Sequence, residues 1–380
     1  MSVSPAPSPP AADQTTLRRR GVGLTALDAA RSAGGYTLFA PQTGGGAVYL
    51  VDIRGEVVHR WQMPVRPGRD AVILPNGHLG YNGSHPDPFR PYPAWPLWRG
   101  GDFYEATPEG KIVWRFEDPR HHHDARWLDN GDLLYATVEP LSAELSARVA
   151  GGDPRRDAPD GIVQGDVIRQ VNRQGETVWR WAAGDHLPPE DYPVHPIFDR
   201  RHWPFVNGLG ETRDGLVLMS LRVTSGIIAV DRDTGAVAWR IGADRLAQQH
   251  TPIEMADGSI LCFDNGNLRP GVTAPFSRAV QVDPGTGRTV WEYADPLKPA
   301  FFSPYMGSAQ RLWNGNTFIC ESAFGRLFEV TPEGDVVWEY VIPFFGEYPD
   351  DGARDFAAGV QNSVFRAHRY EAAQIPWLRP

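Results

Sequence analysis

The sequence predicts an all-β fold, a β-propeller, on three observations. One hairpin is written six times along the chain, and a second hairpin recurs between those copies. Glycine and proline, 40 and 35 of 380 residues, supply the turns that so many short strands need.

The first hairpin reads as a strand, a turn built on Gly, and a second strand ending in aromatic residues. Its copies are Val48–Trp61, Phe103–Phe116, Val167–Trp181, Ile227–Ile241, Ala279–Tyr293 and Leu327–Tyr340. The later five share a Trp near the end, where the first carries His59. A large aromatic at that point buries most area between neighbouring blades, so most of the 13 Trp residues are expected to be structural. The second hairpin covers Asp70–Gly83, Asp124–Thr137, Gly208–Leu221, Thr251–Asp264 and Ser308–Glu321, each turning at Asn-Gly or Asp-Gly. Those dipeptides fit type I′ turns. The two hairpins together make blades of about four strands. Ser363–Tyr370 reads as one more strand. With Gly35–Ala40 it is expected to complete the first blade and remove an open sheet edge.

The domain expectation is a disordered tail over 1–20 and one propeller over 21–380. Met1–Thr16 is rich in Ser, Pro and Ala. Arg18-Arg19-Arg20 invites a twin-arginine export reading. The apolar stretch after it is short and broken by Asp28 and Arg31, so a cytoplasmic location is favoured. No apolar run is long enough to span a membrane. A net charge of −9 gives no case for nucleic acid or an anionic membrane surface. Cys262 and Cys320 read as two buried free thiols. Oligomeric state stays open.

Three segments break the repeat: His85–Gly100, Pro140–Gly165 with a short helix, and Asp185–Phe205. Long loops on a rigid scaffold bind or cover something, so they are expected to form a lid over one mouth of the central channel.

The repeat also aligns the blades. Seven residues before each inner Asn or Asp stand Arg69, His123, Asn207, His250 and Gly307. His121, Phe205 and Tyr305 stand two residues earlier in three of those blades. These points begin the inner strands and should face the channel mouth. Eight residues after the turn stand Ser84, Val138, Arg222, Asn265 and Ser322. Arg222 reads either as an anion clamp or as the partner of Glu139, Asp264 or Glu321. The run His121-His122-His123 raises a divalent metal, with His123 and His250 as ligands and His202 or His195 beside them. Its alternative is a histidine placed by hydrogen bonds, with Asp124 orienting it.

The stretches "HHHDARWLDNGDLL", "WPFVNGLGETRDGLVLMSLR", "QQHTPIEMADGSILCFDNGN" and "SAQRLWNGNTFICESAFGRLFEV" resemble the arylsulfate sulfotransferase family over nearly the whole chain after Gly35. The resemblance implies a six-bladed propeller that needs no cofactor. It implies that His250 takes the sulfuryl group from an aryl sulfate and passes it to a phenol, with His123, Asn207 and Arg222 around it. A family Trp-x-His-x-Asn pattern falls on Trp203 to Asn207, where Phe205 replaces the histidine. A phenyl ring cannot donate a proton. Phe205, Trp203, Tyr305, Arg69 and His202 are then expected to hold a small aromatic substrate. Two other readings stay open on these residues: a lyase, hydratase or hydrolase using the same histidine pair, and a non-catalytic binding propeller.

Overall fold

Six sheets stand in a ring, and their innermost strands pack against one another in blade order. The computed structural model describes residues 21–378. The expectations for the 1–20 tail and for Arg18–Arg20 lie outside the described residues. Blade 1 is Tyr36–Pro41, Ala47–Val51 and Val57–Gln62, with Val364–Tyr370 as its innermost strand. Blade 2 is Pro67–Ile73, Leu79–Ser84, Gly101–Ala106 and Ile112–Glu117. Blade 3 is His121–Trp127, Leu133–Pro140, Gln164–Val171 and Thr177–Ala182. Blade 4 is Val206–Glu211, Val217–Leu221, Gly226–Val230 and Val237–Ile241. Blade 5 is His250–Glu254, Ile260–Asp264, Arg278–Val282 and Thr289–Tyr293. Blade 6 is Ser308–Arg311, Thr317–Glu321, Arg326–Val330 and Val336–Val341.

Both ends of the described chain close the ring. Val364–Tyr370 pairs antiparallel with Tyr36–Pro41, as the sequence suggests. Gly23–Leu27, for which the repeat gives no signal, pairs with Val336–Val341 as a fifth, outermost strand of blade 6.

Each interface between blades holds its own buried apolar cluster. Four of the five repeated Trp residues, all but Trp239, bond across these interfaces. The indole N–H of Trp114 donates to Arg173 O at 2.9 Å, of Trp179 to Arg232 O at 2.9 Å, of Trp291 to Pro332 O at 3.0 Å and of Trp338 to Ile53 O at 2.8 Å. Each acceptor sits at the same point of the next blade's outer turn. His59 replaces the indole without losing the bond, because its Nε2 reaches Pro108 O at 2.8 Å.

The inner turns correct one expectation. A type I′ turn needs positive φ at two residues, but only the glycines, Gly77, Gly131, Gly215, Gly258 and Gly315, have it. In each turn the glycine N–H donates to the carbonyl three residues back, and the residue there pairs with the one just after the glycine, as in Gly77 N to Leu74 O at 2.8 Å and Leu74 N to His78 O at 2.8 Å. These are type I turns closed by a glycine bulge. In four of the turns the preceding Asn or Asp caps from its side chain, as Asn76 Oδ1 does for His78 N at 3.0 Å, and in the fifth Thr212 Oγ1 accepts from Leu216 N at 2.9 Å instead. Cys262 and Cys320 are free and buried. No helix among the described residues is long and apolar enough to cross a membrane.

Candidate active site

Four inner strands enter the channel mouth through an irregularity in register, at Pro67/Ala71, between His121 and Ala125, at Val206/Gly208 and at His250/Ile253. Extra residues there turn side chains out of the pleat. His123, Phe205 and Thr251 take positive φ at these points, a conformation that the surrounding sheet must hold in place.

The bulges split consecutive residues between two jobs. Arg69, His123 and His250 turn up into a cavity of about 1280 Å³ at the mouth. The residues that follow them, Asp70, Asp124 and Thr251, turn inward onto one cation, Arg366 of the closing strand. Arg366 Nη1 donates to Asp70 Oδ2 at 3.0 Å and to Asp124 Oδ1 at 3.1 Å, Nη2 donates to Asp124 Oδ2 at 2.9 Å, and Nε donates to Thr251 Oγ1 at 3.2 Å. Asp124 therefore does not orient His123, which corrects that expectation. Its other oxygen contact is the backbone N–H of Leu209 at 2.7 Å. The sequence carried this clamp in the same count, one residue further on.

All three long loops line the cavity, through Tyr92 and Trp98, Arg155 and Arg156, and Phe198, Arg201 and His202. Two stretches that the repeat did not single out complete the wall, Pro299 to Phe302 and Phe356 to Asn362. Phe205 and Tyr305 line it as expected. Asn207 and Trp203 do not. Asn207 is fully buried and donates from Nδ2 to Gln249 O at 2.9 Å, so it positions the peptide that leads into His250. Trp203 is a core residue whose indole donates to Tyr192 O at 2.9 Å.

His250 has a defined tautomer. Its Nδ1–H donates to Asn265 Oδ1 at 2.7 Å, and its Nε2 lone pair accepts the Met306 N–H at a long 3.2 Å. Burial, and next the nearby Arg222 guanidinium, lower its pKa to about 3. The imidazole is therefore neutral, with a lone pair on the nitrogen that faces the cavity residues. Asn265 was in register with Arg222 in the sequence, and this bond is its role. His123 stacks on Trp98 at 5.8 Å, meets the Phe205 ring at 4.8 Å, and shares a proton with His122 through their Nδ1 atoms at 3.0 Å. Burial holds it neutral as well.

Arg222 is not half of an ion pair. Glu139 is taken by Arg169 and Arg180, Asp264 by Arg269 and Arg278, and Glu321 by Arg326. Among the described residues no carboxylate pairs with Arg222. Its guanidinium lies over Phe198 at 5.1 Å and Phe205 at 5.8 Å. Burial alone lowers its pKa to about 10, so it stays charged at neutral pH. Arg69 is similar: it donates to Gln42 Oε1 at 3.0 Å and Leu97 O at 2.7 Å, and burial lowers it to about 10. The lining holds six arginines and two carboxylates, Asp199 and Glu321. A chain of net charge −9 thus presents a cationic cavity.

His123 and His250 do not form a ligand set. Among the described residues one cluster has metal-binding geometry, and it is His122, Asp166 and His202. A two-residue strand, His202–Trp203, runs parallel to Gln164–Gly165 and brings His202 beside Asp166. His202 Nε2 donates to Asp166 Oδ1 at 3.0 Å and its Nδ1 meets the Tyr92 hydroxyl at 2.9 Å. The His202 ring lies 4.5 Å from Phe205, but with both nitrogens committed it does not replace the missing cavity histidine.

Comparison with curated proteins gives no match. Among solved structures, a protein of unknown function from Bacteroides caccae is 14% identical, with 88% of this chain and 98% of that chain covered and a TM-score of 0.53, which is a likeness of fold. A streptogramin B lyase (12% identity, 85% and 83% covered, TM-score 0.46) and a virginiamycin B lyase from Staphylococcus aureus (11%, 81% and 74%, 0.40) are also similar. A family model described as outer membrane protein assembly factor BamB matches residues 164–370, a further sign of a propeller. The arylsulfotransferase (ASST) model matches residues 29–247, more than half of the sequence and including His123, Phe205, Asn207 and Arg222. The chain belongs to the arylsulfotransferase family.

Proposed function

We propose that this protein moves a sulfuryl group from an aryl sulfate to a phenol by way of His250. The observation that carries the reading is Arg222, a half-buried guanidinium on the cavity wall without a counter-ion, close enough to His250 to depress its pKa. A cation left unpaired in a cavity is the group that an incoming sulfate satisfies.

The His250 Nε2 lone pair attacks sulfur. The S–O bond to the aryl oxygen breaks, and its electron pair leaves with the phenolate. An N–S bond now holds the sulfuryl group, while Nδ1–H remains on Asn265. The Met306 N–H gives up its bond to Nε2 as N–S forms. In the second half a phenol oxygen attacks sulfur, the N–S pair returns to Nε2, and the acceptor's proton leaves to solvent, the first phenolate having already departed. Arg222 and Arg69 balance charge on the transferring oxygens. Trp98, Phe198, Phe205 and Tyr305 offer faces for the aryl ring. Phe205 leaves one donor fewer than the family pattern, so the load on Arg222 is greater.

The test uses 4-nitrophenyl sulfate with phenol as acceptor. The expected result is release of nitrophenolate and a sulfo group on the peptide that contains His250, with both lost in His250→Ala. Absence of release and of label from the intact protein would overturn the reading.

A further inference from the structure

We propose that His122, Asp166 and His202 form a binding site for one divalent transition-metal ion in the wall of the cavity. This goes beyond sulfuryl transfer and does not rest on it.

The geometry comes first. The Nε2 atoms of His122 and His202 each lie 3.0 Å from the same oxygen, Asp166 Oδ1. In a tetrahedral site with bonds of about 2.0 Å, neighbouring donor atoms stand about 3.3 Å apart. Those two spacings need to open by only a few tenths of an ångström to admit an ion, and all three donor atoms lie within 4.8 Å of one another. All three residues are buried, and only His202 borders the cavity.

The second observation is an orphan. His122 Nε2 is buried and has no hydrogen-bond partner, because its approach to Asp166 lies outside hydrogen-bond geometry. A buried ring nitrogen without a partner is costly. An ion takes that lone pair directly.

The third is the surround. A metal-bound histidine is held by a hydrogen bond at its other nitrogen. Here His202 Nδ1 meets the Tyr92 hydroxyl at 2.9 Å and His122 Nδ1 meets His123 Nδ1 at 3.0 Å. The second Asp166 oxygen accepts the N–H of Phe205 at 2.7 Å and of Val206 at 3.0 Å. Every ligand is thus oriented from behind. Two imidazoles and one carboxylate suit zinc, cobalt or iron rather than calcium or magnesium, which take oxygen.

The ion would reach the reaction cavity through one proton. With a metal on Nε2, neutral His122 carries its hydrogen on Nδ1 and donates it to His123 Nδ1. Neutral His123 then keeps its own hydrogen on Nε2. The site would fix the tautomer of a cavity histidine without touching substrate.

The test uses the full chain after dialysis against a chelator. It is titrated with zinc chloride by calorimetry and with cobalt chloride by visible absorption. The expected result is near one equivalent of either ion, with a cobalt spectrum of low coordination number. Affinity should fall at least about tenfold in Tyr92→Phe. Stoichiometric binding should vanish in His122→Gln and His202→Gln whose metal-free melting matches the parent. Should a histidine variant not fold, Tyr92→Phe and the cobalt spectrum of the parent still decide. No binding of either ion by the parent, or binding unchanged in the variants that fold, would overturn the proposal.

Discussion

Arg222 is a half-buried cation to which the fold has given no anion. That makes it the residue whose loss should be felt most after His250 itself. Removing one donor to a transferring group costs roughly 10²–10³ in kcat, so Arg222→Ala should show a loss of that size with 4-nitrophenyl sulfate. Arg222→Lys should recover little, since an ammonium cannot reproduce the planar fork over Phe198 and Phe205. His250 makes a prediction about pH. Its pKa is lowered to about 3 by burial, then by Arg222, and Arg366 acts in the same direction. His123, held neutral, adds no charge beside it. The nucleophile is therefore unprotonated across neutral and mildly acid pH, and kcat/KM should show no His250 inflection near the usual histidine value of about 6.5. The same shift bears on stability with a definite sign. Below about 6.5 the unfolded chain takes up a proton at His250 that the folded chain refuses, so stability falls as pH falls, by about 1.4 kcal/mol per unit down to the folded value. Urea unfolding at pH 7 and pH 5 checks this, with His250→Gln reducing the difference while His121, His122 and His123, lowered in the same direction by burial, sustain the rest. At this scale the sequence was legible wherever the repeat could align one blade with another: Arg69, His123, His250 and Arg222 all line the cavity. It misplaced Asn207, which shares their count but lies in a bulge that turns its amide onto Gln249 O. Register gives the position along a strand, and a bulge decides the face.

The recurring element is the outer hairpin, whose Trp bonds forward to the next blade. Trp179→Phe keeps most of the ring and loses the N–H, leaving Arg232 O without that donor. The expected cost is about 1 kcal/mol, read from the urea midpoint at unchanged slope. Trp338→Ala empties a fully buried site between blades 6 and 1 and should cost about 3–5 kcal/mol. His59→Phe should behave like Trp179→Phe, because His59 makes the same forward bond. These hairpins were legible because strand, turn and aromatic recur together. The inner turns were harder. Asn-Gly and Asp-Gly serve both a type I′ turn and a type I turn with a glycine bulge, and the two differ only in φ of the residue before the glycine. The sequence raised a metal on the histidine run and on His202 but assigned it to His123 and His250; Asp166 had no signal, since a parallel pairing of Gln164–Gly165 with His202–Trp203 assembles the cluster across a long loop.

In the whole molecule, the ring is held at its centre by a buried cation gripped from three blades. Arg366 belongs to blade 1, Asp70 to blade 2, Asp124 to blade 3 and Thr251 to blade 5. Arg366→Met leaves two buried carboxylates without their cation and should cost about 3–5 kcal/mol, measured by urea unfolding. Against the opposing effect of burial, Arg126 and then Arg366 hold the Asp124 carboxyl below its ordinary range. That contribution is present above the ordinary aspartate value and is lost only as pH falls through the depressed one. The six-bladed ring was legible from six copies of a hairpin, and its closing strand from Ser363–Tyr370. The outer clasp by Gly23–Leu27 was not, because a strand used once has no repeat to reveal it. The closing strand has a consequence for how the molecule is made. A ribosome delivers blades 2 to 6 whole, yet Val364–Tyr370 emerges after all of them. Until then blade 1 lacks its axial strand, and Asp70 and Asp124 lack the Arg366 guanidinium that joins them. The nascent chain would carry His250 and Arg222 before it owns a floor beneath them, so the cavity takes shape only when the closing strand docks.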